Sequence, residues 1–307
     1  YADGSFSRVD VANLGSVFAG SRRRLEGLEG NVGLRRSINL LAPGRNVTIL
    51  DPDGRVRQDS GTSFAAPHVV GTVALIQEYG DRQLRNNDPQ WTVDARRHEV
   101  TKAVLLNSAD KVEDAGDGLR LGMTRTVMDK DNLNWLQSDA YKDETIPLHG
   151  QTGTGHLNAY RALQQFSLGQ YAPNAAVPPI GWDYNTVGVG QSQEYALEKP
   201  LQEGSYVSVT LAWNRLVELE DANSNGMFEV TEEFRDRGLN DLNLYLVRAD
   251  GSVAQVVRAS ISAEDSVEHI FFPVPETGRY TLRVTYAKQV HEPTQPYALA
   301  WWTVPAQ

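Results

Sequence analysis

Cysteine is absent from all 307 residues. That excludes a disulfide framework, a thiolate metal site and a cysteine nucleophile. The absence suits the cytosol, and it equally suits an exported bacterial protein stiffened by bound ions. Histidine is scarce: six in all, the first at position 68. No apolar run is long enough to span a membrane. The opening Tyr-Ala-Asp-Gly-Ser-Phe lacks the basic start and apolar stretch of a signal peptide. Positive charge is short as well, with 29 Lys and Arg against 39 Asp and Glu, a formal net charge of −10. Phosphate contacts need clustered cations, so this balance argues against nucleic acid as the main partner. The cluster Arg22-Arg23-Arg24 stands alone before Glu26 and Glu29 and reads as a solvated loop, or second as an exposed cleavage site. What is present is a 40% hydrophobic content, enough for real cores, in a chain whose length suggests about two domains.

One stretch organises the chain. Asn46-Val47-Thr48-Ile49-Leu50 is β-rich and apolar, and a long apolar run passes through Val69, Val70, Val73, Ala74, Leu75 and Ile76. Between them, Gly61-Thr62-Ser63 sits where a turn feeds a helix. A hydroxyl there is well placed as a nucleophile, because the free N–H groups of the first turn and the helix dipole stabilise an adjacent anion. Pro67 is expected in the first turn, where a missing N–H costs nothing. On spacing alone, Ser or Thr opening an apolar helix is equally an ordinary N-cap.

The full string Gly61-Thr62-Ser63-Phe64-Ala65-Ala66-Pro67-His68-Val69-Val70-Gly71 resembles the nucleophile signature of the subtilisin-like serine proteases at eleven consecutive positions. Ala42-Pro43-Gly44 resembles the turn that ends a core parallel strand of that family, and Gly44 lies 19 residues before Ser63. The run Val100 to Ala109 resembles the family's next helix. Gly153-Thr154-Gly155-His156-Leu157-Asn158-Ala159 resembles the turn and last helix that close its catalytic domain, with His156 part of that fold signature and no base. The resemblance implies an α/β fold for residues 1–171: the C-terminal half of a subtilisin-like, doubly wound parallel sheet. It also implies a secreted endopeptidase whose Ser63 forms an acyl-enzyme on a protein or peptide substrate, with the Ser63 N–H donating to the oxyanion.

The rest of that machinery is missing. A serine nucleophile needs a base, usually His, oriented by an acid. The 62 residues before Ser63 contain no histidine, and His-Gly-Thr occurs nowhere. Asp59-Ser60-Gly61 overlaps the serine signature and cannot serve as the acid motif. Gly30-Asn31 lies too close to Ala42 to supply the oxyanion asparagine. Three readings compete. The chain is part of a larger protease whose N-terminal half supplies the Asp and His; or it is a degenerate protease that binds without cutting; or His68, His98 or His149 is an unrelated base. The first is preferred, because half a doubly wound sheet leaves a face and an edge uncovered.

Along the remainder, residues 16–19 read as a short strand, 80–90 as a polar loop, 94–109 as helix and 113–147 as an insertion. Within it, Asp129-Lys130-Asp131-Asn132 reads as a solvated turn rather than a cation site. Residues 171–179, with Pro173, Pro178 and Pro179, read as a linker. Residues 172–307 alternate as strands at 207–213, 242–247, 253–257, 270–272, 280–284 and 297–302, which indicates an all-β antiparallel sandwich. It resembles the jelly-roll sandwiches appended to many secreted subtilisin-like proteases. Inside it, residues 221–232 match the EF-hand calcium-loop pattern at every defined position. Asp221, Asn223 and Asn225 offer side-chain oxygens, Met227 its carbonyl, Glu229 a direct or water-mediated contact, and Glu232 a bidentate one. The alternative is a polar hairpin loop. With one such loop and no second EF-hand, a structural Ca2+ is expected rather than a calcium sensor.

Overall fold

The computed structural model describes residues 6–7, 31–32, 35–250 and 254–306. Short pairs open it: β1 (Phe6–Ser7), β2 (Asn31–Val32) and β3 (Arg35–Arg36), the last two antiparallel to each other. The strand expected at 16–19 lies outside the described residues. Next, β4 (Val47–Leu50) and β5 (Val56–Asp59) form an antiparallel hairpin with Val47 opposite Asp59 and Leu50 opposite Val56. The hairpin delivers the chain into α1 (Thr62–Arg85), a helix of 24 residues.

α1 differs from expectation at both ends. Pro67 is its sixth residue, one turn deeper than the N-terminal position the sequence suggested. Its missing N–H therefore removes the helical partner of the Ser63 carbonyl. At the far end, residues 80–85 are helix and not loop. Gly80 is buried there, and a Cβ on it would already touch the Ala95 methyl and the Phe166 ring at 3.4 Å. Close packing holds those last turns in place.

α2 (His98–Ser108) follows a 3-10 turn at Val93–Arg96 capped by Thr92. β6 (Val127–Met128) pairs in parallel with β1, and α3 (Asp139–Lys142) is a single turn. α4 (Ala159–Phe166) is capped by the Asn158 side chain, which accepts the Arg161 N–H at 3.1 Å. Ile76 of α1, Val100, Ala103 and Val104 of α2, and Ala162 and Phe166 of α4 share one core. Burying each large apolar side chain of this kind is worth about 1.5–3 kcal/mol.

The doubly wound parallel sheet expected for residues 1–171 is not found among the described residues. Parallel pairing there is limited, among the described residues, to the two-residue β1–β6 contact, a bridge between Leu41 and His156, and a bridge from Gln170 to Trp182. Beyond its bridge to His156, the stretch 37–42 has no parallel strand beside it among the described residues, so the sheet that the helices of an α/β fold would cover is not found there. They cover another sheet instead.

That sheet belongs to the C-terminal strands: β7 (Ala176–Val177), β8 (Ile180–Gly188), β9 (Ser192–Leu197), β10 (Tyr206–Trp213), β11 (Leu216–Glu220), β12 (Glu233–Gly238), β13 (Asp241–Arg248), β14 (Gln255–Ser260), β15 (Val267–Pro273), β16 (Tyr280–Lys288) and β17 (Thr294–Trp302). They form a four-stranded sheet, β15-β10-β17-β8, and a five-stranded one, β14-β13-β16-β9-β7. All pairings within them are antiparallel except the short β7–β9 edge. Val207, Val209 and Leu211 of β10, Leu242, Leu244 and Leu246 of β13, and Leu282 and Val284 of β16 meet in one apolar core. Two indoles in this core are satisfied: Trp213 Nε1 donates to Asn240 O at 2.8 Å, and Trp301 Nε1 to Pro178 O at 2.8 Å.

β10 is buried along almost its whole length, which an antiparallel strand shows only when both faces are covered. Its second face meets α2. The Asn107 amide oxygen accepts Ser208 Oγ at 2.9 Å and Thr210 Oγ1 at 3.1 Å, and Ala212, Ala298 and Ala300 pack with Val100 and Val104. The insertion closes the same face, where Leu121, Met123 and Trp135 pack against Phe271 and Trp302. Residues 171–179, expected as a linker, are tied down. The Tyr171 N–H donates to Trp182 O at 2.9 Å, the Asn174 N–H to Glu194 O at 2.8 Å, and β7 joins β9. The prolines sit where an edge strand has N–H groups to spare.

Candidate active site

The site is built by three short pieces meeting at the start of α1. Gly44, last residue of the Ala-Pro-Gly turn, accepts the Gly61 N–H at 2.7 Å. A Cβ on Gly44 would lie 2.8 Å from Gly61 O and 3.1 Å from the Ala65 methyl, so only glycine lets the turn sit against the helix. Ser60 Oγ accepts the Asn46 N–H at 2.8 Å, fixing the end of β5 to the start of β4. Gly61 then turns the corner at φ 156° and ψ 165°, a region open essentially to glycine alone.

Ser63, the second residue of α1, emerges exposed from that corner. The Phe64 N–H folds back to Gly61 O at 3.1 Å, while the N–H groups of Thr62 and Ser63 have no acceptor among the described residues. Two free donors beside an exposed hydroxyl form the elementary layout of an oxyanion site. Asp59, just upstream, is held below the usual carboxylate range first by Arg57 and then by the Ser60 N–H, so it is committed to its neighbours.

No described histidine hydrogen-bonds to Ser63. His68 lies about 140° further round the helix, and its Nδ1 is 3.0 Å from Phe64 O. His98 Nε2 is 2.9 Å from the Asn214 amide. His149 Nδ1 is 2.8 Å from Thr152 Oγ1, with Asp129 at 3.6 Å on its other nitrogen. Each imidazole named as an alternative base therefore has partners elsewhere.

His156 is buried, and burial first, then the Arg125 charge, pushes its imidazole below the ordinary value, which keeps it neutral. Its surroundings explain the Gly-x-Gly signature. The Leu41 N–H donates to Gly155 O at 2.8 Å, the Thr154 N–H to Asn39 O at 2.8 Å, and the Asp110 N–H to His156 O at 2.8 Å. Cβ atoms on Gly153 and Gly155 would lie 2.1 Å from the Asn39 and Asp110 oxygens. Asp110, fully buried, accepts Thr124 Oγ1 at 2.7 Å and the Asn158 amide at 3.0 Å, and pairs with Arg125 and Arg161. Burial lowers Arg161 to about 10. This pinned seam holds the 39–41 stretch, and through it the hairpin that presents Ser63. Sequence reasoning passed over Asp110; its one signal was an acidic residue directly after an apolar helix.

A sequence model of the subtilase family matches residues 24–124. Two curated relatives agree: the "Intracellular serine protease" of Paenibacillus polymyxa, 30% identical over 82 residues, and the "Major intracellular serine protease" of Bacillus subtilis (strain 168), 40% identical over 50 residues. The matched parts are 27% and 16% of this chain, and 24% and 16% of those proteins. The chain thus spans a quarter or less of the length of the curated relatives it matches. Among solved structures, that of the patellamide maturation protease PatA is similar at 24% identity and TM-score 0.25, over 42% of this chain and 34% of that one. The subtilase segment contains Ser63 and its turn, α1, α2 and Asp110.

Beyond the subtilase segment, the expected calcium loop caps the β11–β12 hairpin. It winds around its own oxygens. Asp221 Oδ2 accepts the Gly226 N–H at 2.7 Å, with Gly226 at φ 75°, and Asn225 Oδ1 accepts the Met227 N–H at 2.7 Å. Asn223 Oδ1 accepts the Asn225 N–H at 3.0 Å. Glu232 is folded inward, accepting the Ala222 N–H at 3.1 Å and the Glu229 N–H at 2.9 Å. The Asn225 amide reaches Glu229 Oε1 at 3.1 Å. These hydrogen bonds close the loop on its own side chains. Even so, among the described residues no three His, Asp or Glu side chains converge as a ready metal cage.

Proposed function

We propose that this chain is the nucleophile-bearing part of a subtilisin-like serine endopeptidase. Ser63 Oγ attacks the scissile carbonyl of a protein or peptide substrate, and the oxyanion is received by the free N–H groups at the start of α1. The base and its orienting acid come from outside this chain, in an N-terminal half of the peptidase domain. The observation that carries this reading is the exposed Ser63 beside two unengaged N–H donors, inside the segment that matches the subtilase family.

The two-sheet region is read as a jelly-roll-like sandwich appended to the peptidase, supported by its single core between antiparallel sheets. Its loop holds one structural Ca2+ through Asp221, Asn223, Asn225, the Met227 carbonyl, Glu229 and Glu232. When bound, the ion supplies charge that relieves repulsion among the three carboxylates; it takes no part at Ser63.

The test uses a preparation containing both halves of the domain. A fluorophosphonate should label Ser63, and Ser63→Ala should reduce turnover to the residual level, about 10^3–10^4 over water, that oxyanion donors and binding sustain without a nucleophile. Native turnover by Ser63→Ala would overturn the assignment. The absence of a histidine against Ser63 favours one other reading, a subtilase-like binding or scaffolding protein. Failure of Ser63 to label in the complete preparation would select it.

A further inference from the structure

A crevice of about 240 Å3 opens between the 35–39 stretch, α2 and the start of β15. Arg35, Arg36 and Ser37 line one side, Lys102 of α2 the floor, and Asp265 and Ser266, at the foot of β15, the other side. Three basic residues and one carboxylate line it, in a chain whose formal net charge is −10.

The single carboxylate is already engaged. Asp265 Oδ1 accepts the Arg36 N–H at 2.7 Å, and its Oδ2 accepts Ser262 Oγ at 3.0 Å. The Arg36 guanidinium turns away to Asp139 at 2.9 Å, and Arg35 acts on Asp236. Lys102 remains. Alone among residues 99–108 of α2 it is not buried with the core. Its ammonium has the Asp265 charge nearby and no hydrogen bond to any described residue. Every other residue of that stretch is buried, and Lys102 is the α2 residue that lines the crevice.

We propose that this crevice binds a small oxyanion, a carboxylate or a phosphate, with Lys102 as its charge contact and the hydroxyls of Ser37 and Ser266 as hydrogen-bond donors. An anion there completes a set of donors that Asp265 leaves unfilled, and the volume admits a group of that size but not a folded partner. Burial holds the Lys102 ammonium below its ordinary range, with the Asp265 charge opposing. A bound anion would restore the charge that burial disfavours. The proposal is independent of the peptidase reading, since none of these residues touches Ser63.

The experiment maps lysine acetylation by mass spectrometry on the full chain, with exposed Lys130, Lys142 and Lys199 as internal references. The probes are inorganic phosphate, a short peptide with a free C-terminal carboxylate, and the same peptide amidated, all at matched ionic strength in chloride. At a ligand concentration tenfold above Kd, Lys102 labelling should fall about tenfold while the reference lysines hold. Protection by phosphate assigns a phosphate ligand. Protection by the free but not the amidated peptide assigns a carboxylate. In parallel, the melting temperature of the native chain should rise with the protecting probe, and Lys102→Gln should abolish the rise without lowering the probe-free value. Lys102 labelling indifferent to every probe, or a rise that survives in Lys102→Gln, overturns the proposal. If Lys102→Gln fails to fold, the labelling of the native chain decides alone.

Discussion

The two regions of this chain bury themselves to very different degrees. Across residues 43–71, which carry Ser63, no residue is buried, and Thr72 is the first that is. In β10, seven of eight residues are buried. Leu50 and Val56 on the hairpin are each 70% exposed, and Val70 on α1 is 66% exposed. The sheets hold the chain together, and Ser63 rides on a surface that nothing described covers. Neighbouring apolar side chains left open in this way mark an interaction surface. In the proposed reading the remainder of the peptidase domain lies over them. The contrast teaches that the stabilising core and the candidate site are lodged in different places, so a mutation should disturb one without the other.

The largest effect on that division comes from the core between the sheets. Leu244 is fully buried, and Leu244→Ala should cost about 2–5 kcal/mol, from lost transfer energy and a residual cavity. Urea unfolding of the full chain reads it directly. A cost under about 1 kcal/mol would mean that the two sheets are not the stabilising body.

The same residue shows what was legible beforehand. Leu242, Leu244 and Leu246 alternate with polar residues, and strand β13 was plain from that period of two. β8 was not, because Asp183 and Asn185 sit in it. Asp183 is buried among hydrogen bonds from Tyr195 Oη at 2.8 Å and the Gln170 amide at 3.0 Å, a polar lining that looks like a loop when read in one dimension. The landing of α2 on β10 was equally hidden. Ser208 and Thr210 alternate with the apolar residues of the strand, and only the fold reveals Asn107 against them. At the candidate site the nucleophile signature and the free N–H groups of the first turn were legible, since each depends on local chain; the contact of Gly44 with Gly61, 17 residues apart, was not. The parallel sheet was expected from family resemblance, and a sheet depends on neighbours that the described residues do not contain.

The next prediction sharpens the comparison within the sheets' own territory. If the 221–232 loop takes Ca2+, ion at about 100 times Kd stabilises the folded chain by about 2.7 kcal/mol. A chelator should lower the melting temperature by the corresponding amount, and Glu232→Ala should remove most of the response while leaving fluorophosphonate labelling of Ser63 in the complete enzyme intact. Identical melting curves with calcium and with chelator would discard the loop as a cation site.

A smaller effect, visible only as pH changes, comes from Glu268. It is fully buried on β15, receives the Ser262 N–H at 2.6 Å and a hydrogen bond from Ser260 Oγ, and lies near Asp265 and Asp241. Burial pushes its carboxyl well above the ordinary value. At pH below the unfolded value, about 4.3, both states hold the proton and the group contributes nothing to pH dependence. As pH rises past that point the unfolded chain releases the proton first, so stability declines until the folded carboxyl ionises as well. Asp265, also raised chiefly by burial, adds a decline of the same sign. Glu268→Gln should flatten the fall in melting temperature between about pH 5 and pH 8 and change little at pH 4. A wild-type melting temperature that rises steadily across that range would contradict the buried protonated acid.

The smallest expected effect is the most direct test of the contrast. Val70 stands on the open face of α1, opposite the Thr72, Ile76 and Gly80 face that is buried. If nothing in the chain covers it, Val70→Ser removes no buried contact, and the chain should unfold within about 0.5 kcal/mol of wild type. The same substitution places a hydroxyl in the interface wherever an N-terminal half of the peptidase domain docks. Burying a hydroxyl without a partner costs about 1–3 kcal/mol, so association of the two halves should weaken by about 5- to 150-fold. The pair of measurements, unfolding of the chain alone and its titration with the other half, separates the outcomes. A large loss of stability in the isolated chain would show the face to be covered from within. An unchanged affinity would move the docking surface away from α1.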